Sequence, residues 1–153
     1  EMASKFYGLE TVCLRYFNVY RPRQTTASDG PYATVIGIFL EQRKTGLPMT
    51  VVPDGTQKRD FTHVIDVARA NLLAMESKIV GRGEIINIGT GKNYSVIEVA
   101  DLIGGSWQFA ELRQGEVKAT LADNSLAKEL LDWEPKIKFE EGILELKNLM
   151  QIV

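Results

Sequence analysis

The stretch TVCLRYFNVYRPRQ, Thr11 to Gln24, constrains the fold more than any other. Its lead-in, Thr11-Val12-Cys13-Leu14, is apolar and partly β-branched, as a strand covered on both faces would be. Then Arg15 and Asn18 intrude, and the chain breaks at Arg21-Pro22-Arg23. A doubly covered strand calls for helices on either side of it, so the rest of the chain should supply them.

It does. Residues 1–7 have helical propensity, and Gly8 suits a helix C-cap. A helix that opens at residue 1 without a capping residue reads as interrupted. The expectation is therefore the C-terminal piece of a longer protein. Strand one should run from Thr11 to about Val19, followed by a polar loop from Arg21 to Pro31. Tyr32 to Thr45 reads as a helix ended by Gly46. Thr50 to Val52 reads as a short strand stopped by Pro53-Asp54-Gly55, and Arg59 to His63 as a further extended piece. A helix follows over Ile65–Ser77, then a strand over Glu84–Ile88. Ser95 and Glu98 form a capping box that opens a helix over Val96–Ile103. Asp123 should cap a helix over Asn124–Leu131. Ile137-Lys138-Phe139 reads as extended, with a helix over Glu140–Ile152. The alternation argues an α/β fold.

At 153 residues the chain is long enough for one domain with a real core. A net charge of −2 offers no broad electrostatic case for nucleic acid or an anionic membrane surface. No apolar run approaches the roughly 18 residues that suggest a membrane span. Cys13 is the single cysteine, so no internal disulfide forms, which suits a reducing compartment and a cytoplasmic location. His63 and Cys13 form no ligand cluster at a recognised spacing, and no metal site is expected.

The glycine-rich run IGTGKNYS, Ile88 to Ser95, fails as a phosphate loop. A triphosphate loop needs glycine where Ile86 stands and a hydroxyl where Asn93 stands. A dinucleotide loop needs a third glycine where Tyr94 stands. A tight strand-to-helix turn is the favoured reading. Two arginines on connectors, Arg59 and Arg113, could together clamp a diphosphate through their planar forks. Surface pairing with Asp60 or Glu116 is the plainer alternative.

As an ordered set, YGLETVCLRYFNVYRPRQ, PMTVVPDGTQKRDFTHVIDVARANLLAM, INIGTGKNYSVIEVADLI and RQGEVKATLADNSLAKELLDWEP resemble the C-terminal half of the extended short-chain dehydrogenase/reductase family. The nearest branch is the nucleotide-sugar 4-epimerases of the UDP-glucose epimerase type. The resemblance implies that residues 1–24 are the end of an NAD-binding domain and residues 25–153 a substrate-binding domain, with the last strands of a Rossmann-type sheet. The polar end of strand one then becomes the carboxyl, ligand-facing end, where open α/β sheets place their sites.

The same resemblance assigns roles. Phe17 lies where the family's backbone meets the nicotinamide end of NAD, and Asn18 matches an asparagine that bonds the substrate diphosphate or sugar. Thr34 and Val35 match the start of a helix that approaches the diphosphate. Thr50, Val51 and Val52 match a strand whose backbone edge reads the base. Arg59 and Arg113 match phosphate-binding arginines, and Glu116 an acidic residue that holds the ribose hydroxyls. The implied cofactor is NAD, and the implied partner a nucleotide-sugar, with a UDP-sugar favoured. Family members commonly form homo-oligomers through helices outside these segments. Arg21 stands where the family usually has glycine. Gly37-Ile38 replaces a common Pro-Lys, and Pro53 replaces a glycine.

The family's acid/base pair is Tyr-x-x-x-Lys, the lysine lowering the tyrosine's pKa. Four residues after Tyr7, Tyr16, Tyr20, Tyr32 and Tyr94 come Thr11, Tyr20, Gln24, Ile36 and Glu98. No lysine is among them, so no catalytic residue is assigned and the segment alone should not turn over substrate. The implied activity is that of an NAD-dependent nucleotide-sugar 4-epimerase. A 4,6-dehydratase or decarboxylase of the same family, or a non-catalytic nucleotide-sugar binder, remains as an alternative.

Overall fold

The computed structural model describes residues 2–30, 32–112 and 115–152. Its elements in chain order are α1 (Met2–Tyr7), β1 (Thr11–Tyr16), β2 (Val19–Tyr20), α2 (Val35–Lys44), β3 (Met49–Val51), β4 (Lys58–Asp60), β5 (Thr62–His63), α3 (Val64–Glu76), β6 (Arg82–Ile88), β7 (Asn93–Ser95), α4 (Val96–Ile103), β8 (Trp107–Phe109), α5 (Ser125–Leu131) and α6 (Phe139–Leu149). The α/β reading holds. The strands pair as β1 with β6, β2 with β5 and β3 with β8, all parallel, and β4 with β7 antiparallel.

Strand one ends earlier than its apolar pattern suggests. β1 stops at Tyr16, and Asn18 takes φ 25°, a left-handed conformation that asparagine tolerates better than most residues. The kink sends Val19–Tyr20 away from β6 to pair with β5 instead. Among the described residues β1 has β6 on one side and no strand on the other.

Two apolar clusters form the core. One gathers Ile36, Phe39 and Leu40 of α2, Met49 and Val51 of β3, Val99, Ala100 and Ile103 of α4, and Phe139, Ile143 and Leu146 of α6. The other gathers Val67, Ala70 and Ala74 of α3 with Ile86 and Ile88 of β6, Ala127 and Leu131 of α5, and Trp133. Phe139 is not extended as its sequence suggests; it opens α6 and stacks on Phe61 at 4.9 Å. Tertiary demand for an aromatic anchor there overrides local β propensity. Asp123 accepts from Ser125 N at 3.0 Å, so α5 begins two residues later than the aspartate. β7 and β8, three residues each, carry too little periodicity to be read from sequence.

Two buried carboxylates tie loops to this frame. Asp66 of α3 accepts from Lys136 N (3.1 and 3.0 Å), Ile137 N (3.0 Å) and Arg69 (2.8 Å), while its carbonyl accepts from Trp133 Nε1 at 2.9 Å. Asp60 of β4 is fully buried. It accepts from Thr90 N (2.9 Å), Thr90 Oγ1 (2.7 Å), Gly91 N (2.9 Å) and Ala122 N (3.1 Å).

Candidate functional site

Asp60 decides what the glycine-rich turn after β6 can do. Free backbone amides in such a turn attract phosphate. Here the amides of Thr90 and Gly91 already bind the Asp60 carboxylate. The turn is structural, as its failed motif suggests, and Ser95 and Glu98 close the capping box of α4 just beyond it. The Thr90 and Gly91 amides of this turn are therefore not free to cradle a phosphate.

The neighbouring residue on β4, Arg59, points elsewhere. It lines a cleft of about 160 Å³ together with Val35 from the start of α2, Thr50 and Val52 from β3 and its exit, Gln57, and Glu116. Five of the residues singled out by sequence thus meet in one place. Arg59 donates to Glu116 Oε2 at 3.1 Å and to the carbonyls of Val117 (2.6 Å) and Lys58 (2.9 Å). The arginine pairs with Glu116, not Asp60. Their side chains are 18% and 34% exposed, so the pair sits at the mouth and not in the interior.

Local chemistry holds each wall. Thr34 caps α2 by accepting from Gly37 N at 3.2 Å, leaving Val35 at the helix's first position. Gly37 itself admits no side chain: a Cβ there would lie 1.9 Å from the carbonyl oxygen of Thr25. That close approach gives the Gly37-Ile38 departure a structural reason. Gln42 grips Thr50 from α2, accepting from its amide at 3.0 Å and donating to its hydroxyl at 2.9 Å. Val51 turns its side chain into the core. Gly55, at φ +80°, lies in the turn between β3 and β4, where a Cβ would fall 2.6 Å from Ile97. The turn is pinned to α4 by Ile97 N to Gly55 O (3.2 Å) and Val96 N to Gln57 O (3.2 Å).

Asn18 and Phe17 lie outside the cleft lining. Asn18 is exposed at the β1 kink, and its amide donates to Asp60 O (2.9 Å) and Thr120 Oγ1 (3.3 Å). Phe17 is half-buried, with its amide donating to Ile88 O at 3.0 Å. Arg113 lies outside the described residues. Arg21 is exposed, and the positive φ in its loop falls on Arg23 (φ 61°) instead.

His63 is buried and caps α3 by accepting at Nδ1 from Ile65 N (3.3 Å). Its Nε2 stands 3.3 Å from Glu145 Oε2, without hydrogen-bond alignment. Its neighbour Tyr20 has its pKa pushed well above the ordinary tyrosine value by burial, with nearby Asp66 adding to the effect. Among the described residues no group of three or more His, Cys, Asp or Glu side chains could hold a metal ion. No described helix is long and apolar enough to cross a membrane. Sequence reasoning passed over Gln57 and Asp60 as site builders. Both stand in the GTQKRD run, but nothing in the order of letters says which side chain turns inward.

Known proteins share this fold. The crystal structure of the UDP-glucose 4-epimerase of Thermotoga maritima with UDP-glucose matches with a TM-score of 0.82 at 37% identity, covering 97% of this chain and 49% of that one. The UDP-glucuronic acid 4-epimerase of Bacillus cereus, in complex with UDP-glucuronic acid and NAD, matches with a TM-score of 0.82 at 32% identity, covering 97% and 47%. The UDP-N-acetyl-alpha-D-glucosaminuronate decarboxylase of Bacillus cytotoxicus is 36% identical over 150 residues, which is 90% of this chain and 45% of that protein. The chain spans about half the length of the curated relatives it matches. The model of the NAD dependent epimerase/dehydratase family matches residues 1–89. With the parallel strand pairs, the capped helices and the cleft between β3, β4 and α2, that match establishes that this chain belongs to the NAD dependent epimerase/dehydratase family.

Proposed function

We propose that this chain is the nucleotide-sugar-binding part of an NAD-dependent nucleotide-sugar 4-epimerase, with a UDP-sugar as substrate. The carrying observation is the cleft that gathers Arg59, Glu116, Thr50, Val52 and Val35. On this reading residues 1–24 close the NAD-binding domain and residues 25–153 hold the substrate.

The two charged groups at the cleft mouth have complementary targets. A guanidinium fork suits the oxygens of a diphosphate, and a carboxylate accepts from the paired hydroxyls of a ribose. In the structure the two satisfy each other at 3.1 Å. A nucleotide would replace one internal ion pair with two external partners. Glu116 keeps 34% of its side chain exposed, so solvent screening lowers the cost of parting the pair. The first turn of α2, at Thr34 and Val35, presents the positive end of a ten-residue helix toward the same anion. The edge of β3 at Thr50, Val51 and Val52 would read the base. Asn18 and Arg113 would add contacts to the sugar or diphosphate, and Phe17 would stand beside the nicotinamide.

NAD, when bound, supplies the hydride chemistry. This chain contributes positioning: anchoring the nucleotide fixes the sugar's site of reaction while leaving the ring able to turn. On this reading residues beyond these 153 hold most of the NAD and supply the acid/base pair, and the chain alone has no turnover. The decarboxylase relative supports a second reading with the same binding role and a different reaction.

Calorimetry with a UDP-sugar on the full-length protein tests the proposal. Arg59→Ala should weaken binding about 10- to 100-fold, the worth of a charge-assisted hydrogen bond. Unchanged affinity in Arg59→Ala and in Glu116→Ala would overturn it. Incubation with UDP-glucose or UDP-glucuronate then separates the reactions, since an epimerase returns the 4-epimer and a decarboxylase releases carbon dioxide.

A further inference from the structure

The cleft contains one polar atom that the fold leaves unsatisfied. Gln57 is only 7% exposed and lines the cleft between Val52 and Arg59. Its Nε2 donates to Val52 O at 3.1 Å. Its Oε1 is sealed from bulk water and has no hydrogen-bond partner. Buried side-chain oxygens nearly always have a partner, because leaving one bare costs the full desolvation of the group. Every other part of this residue is fixed. Its carbonyl accepts from Val96 N, and Gly55 locks the turn that carries it. The orphan is thus held in place by a rigid segment.

We infer that Gln57 is a specificity-determining residue whose Oε1 accepts a hydrogen bond from a donor on the nucleoside of the bound ligand. This rests on the reading of the cleft as a nucleotide site. Three donors on a uridine nucleoside have the required chemistry, the ribose 2′- and 3′-hydroxyls and the N3–H of the base. All belong to the part of the ligand that Glu116 and the β3 edge would hold, and Gln57 lines the same cleft. The final torsion of glutamine is soft; turning Oε1 toward a ligand in the cleft would give up the Nε2 bond to Val52 O, whose oxygen keeps the Gly55 amide at 2.9 Å. A site built around an unpaired acceptor rejects ligands lacking the matching donor far more strongly than an apolar wall would.

Gln57→Met keeps the volume and removes the acceptor. UDP binding by calorimetry and thermal melting would be measured on the full-length protein. The variant should bind UDP about tenfold more weakly while its melting temperature changes little, since the unsatisfied Oε1 and the Nε2 bond to Val52 O are removed together and Val52 O keeps the Gly55 amide at 2.9 Å. Three analogues locate the donor. If the 2′-hydroxyl is read, wild type and variant bind 2′-deoxy-UDP equally, and if the 3′-hydroxyl is read they bind 3′-deoxy-UDP equally. If N3–H is read, they bind CDP equally, because cytosine carries an acceptor at N3. Wild-type UDP affinity in Gln57→Met overturns the inference, and so does a tenfold loss that persists undiminished on all three analogues. A lower melting temperature with unchanged binding also overturns it and makes Gln57 a structural residue. Failure of the wild-type protein to bind UDP at all overturns the reading of the cleft itself, before Gln57 is in question.

Discussion

Removing the Asp60 carboxylate should unhinge the cleft from the frame, and the structure sets the size of the effect. Asp60 accepts four hydrogen bonds, with Thr90 N and Oγ1 on Oδ1 and Gly91 N and Ala122 N on Oδ2. In Asp60→Ala the three backbone donors lose their acceptor, while the Thr90 hydroxyl keeps Lys92 O at 2.9 Å. Ala122 is buried and cannot turn to water, whereas Thr90 and Gly91 are partly or largely exposed and can. The cost is therefore well below four full desolvation penalties, at about 3–5 kcal/mol. Asp60→Asn is subtler. The amide can keep its oxygen toward Gly91 N and Ala122 N, and the Thr90 hydroxyl can turn to accept from the new NH2. Only Thr90 N is left facing a donor, at about 1–2 kcal/mol. Urea unfolding followed by circular dichroism reads both variants. With a slope of about 2 kcal/mol/M, the midpoint should fall by about 2 M in Asp60→Ala and by about 0.5–1 M in Asp60→Asn. Equal shifts in the two variants, or a fall under about 0.5 M in the alanine variant, would refute the accounting of these bonds.

Gly55→Ala places a Cβ 2.6 Å from Ile97 at φ +80°, and should lower the melting temperature by about 5–10 °C through a loss of about 2–3 kcal/mol. Trp133→Phe removes the bond from Nε1 to Asp66 O in a fully buried site and should cost about 1–3 kcal/mol, read as a lower urea midpoint at unchanged slope. Glu98 has its carboxyl held below the ordinary 4.5, chiefly by the Ser95 backbone amide and then by the Ser95 side chain. A depressed carboxylate contributes stability above its unfolded value that is lost as pH falls through the folded one. Glu98→Ala should therefore flatten the fall in melting temperature on acidification below pH 4.5; an acid limb as steep as the wild type's would contradict the capping role.

Much of this protein was legible as sequence because its signals are local. The capping box at Ser95 and Glu98 predicts the start of α4 at Val96, where it is found. Gly8 ends α1 in the left-handed conformation that its place after Tyr7 suggests. Such features depend on residues a few positions apart, whose hydrogen bonds form whatever the rest of the chain does. Elements that need a distant partner were harder. β7 and β8 exist because β4 and β3 lie beside them, and three residues carry no period of their own. Phe139 reads as strand by propensity and becomes helix because Phe61, Tyr20 and Tyr94 surround its ring.

The candidate site divides along the same line. By itself the sequence determined the family, the α/β class and most of the helices, because those are carried by motifs and their spacing. Only the tertiary structure decided that Arg59 turns to Glu116 while its neighbour Asp60 turns inward to hold the loops. Adjacent residues on a strand face opposite ways, so the same two letters serve a cleft on one side and a core on the other. Only the structure, too, left Gln57 Oε1 without a partner. Whether a polar atom is satisfied depends on everything folded around it, and no run of neighbouring letters records that.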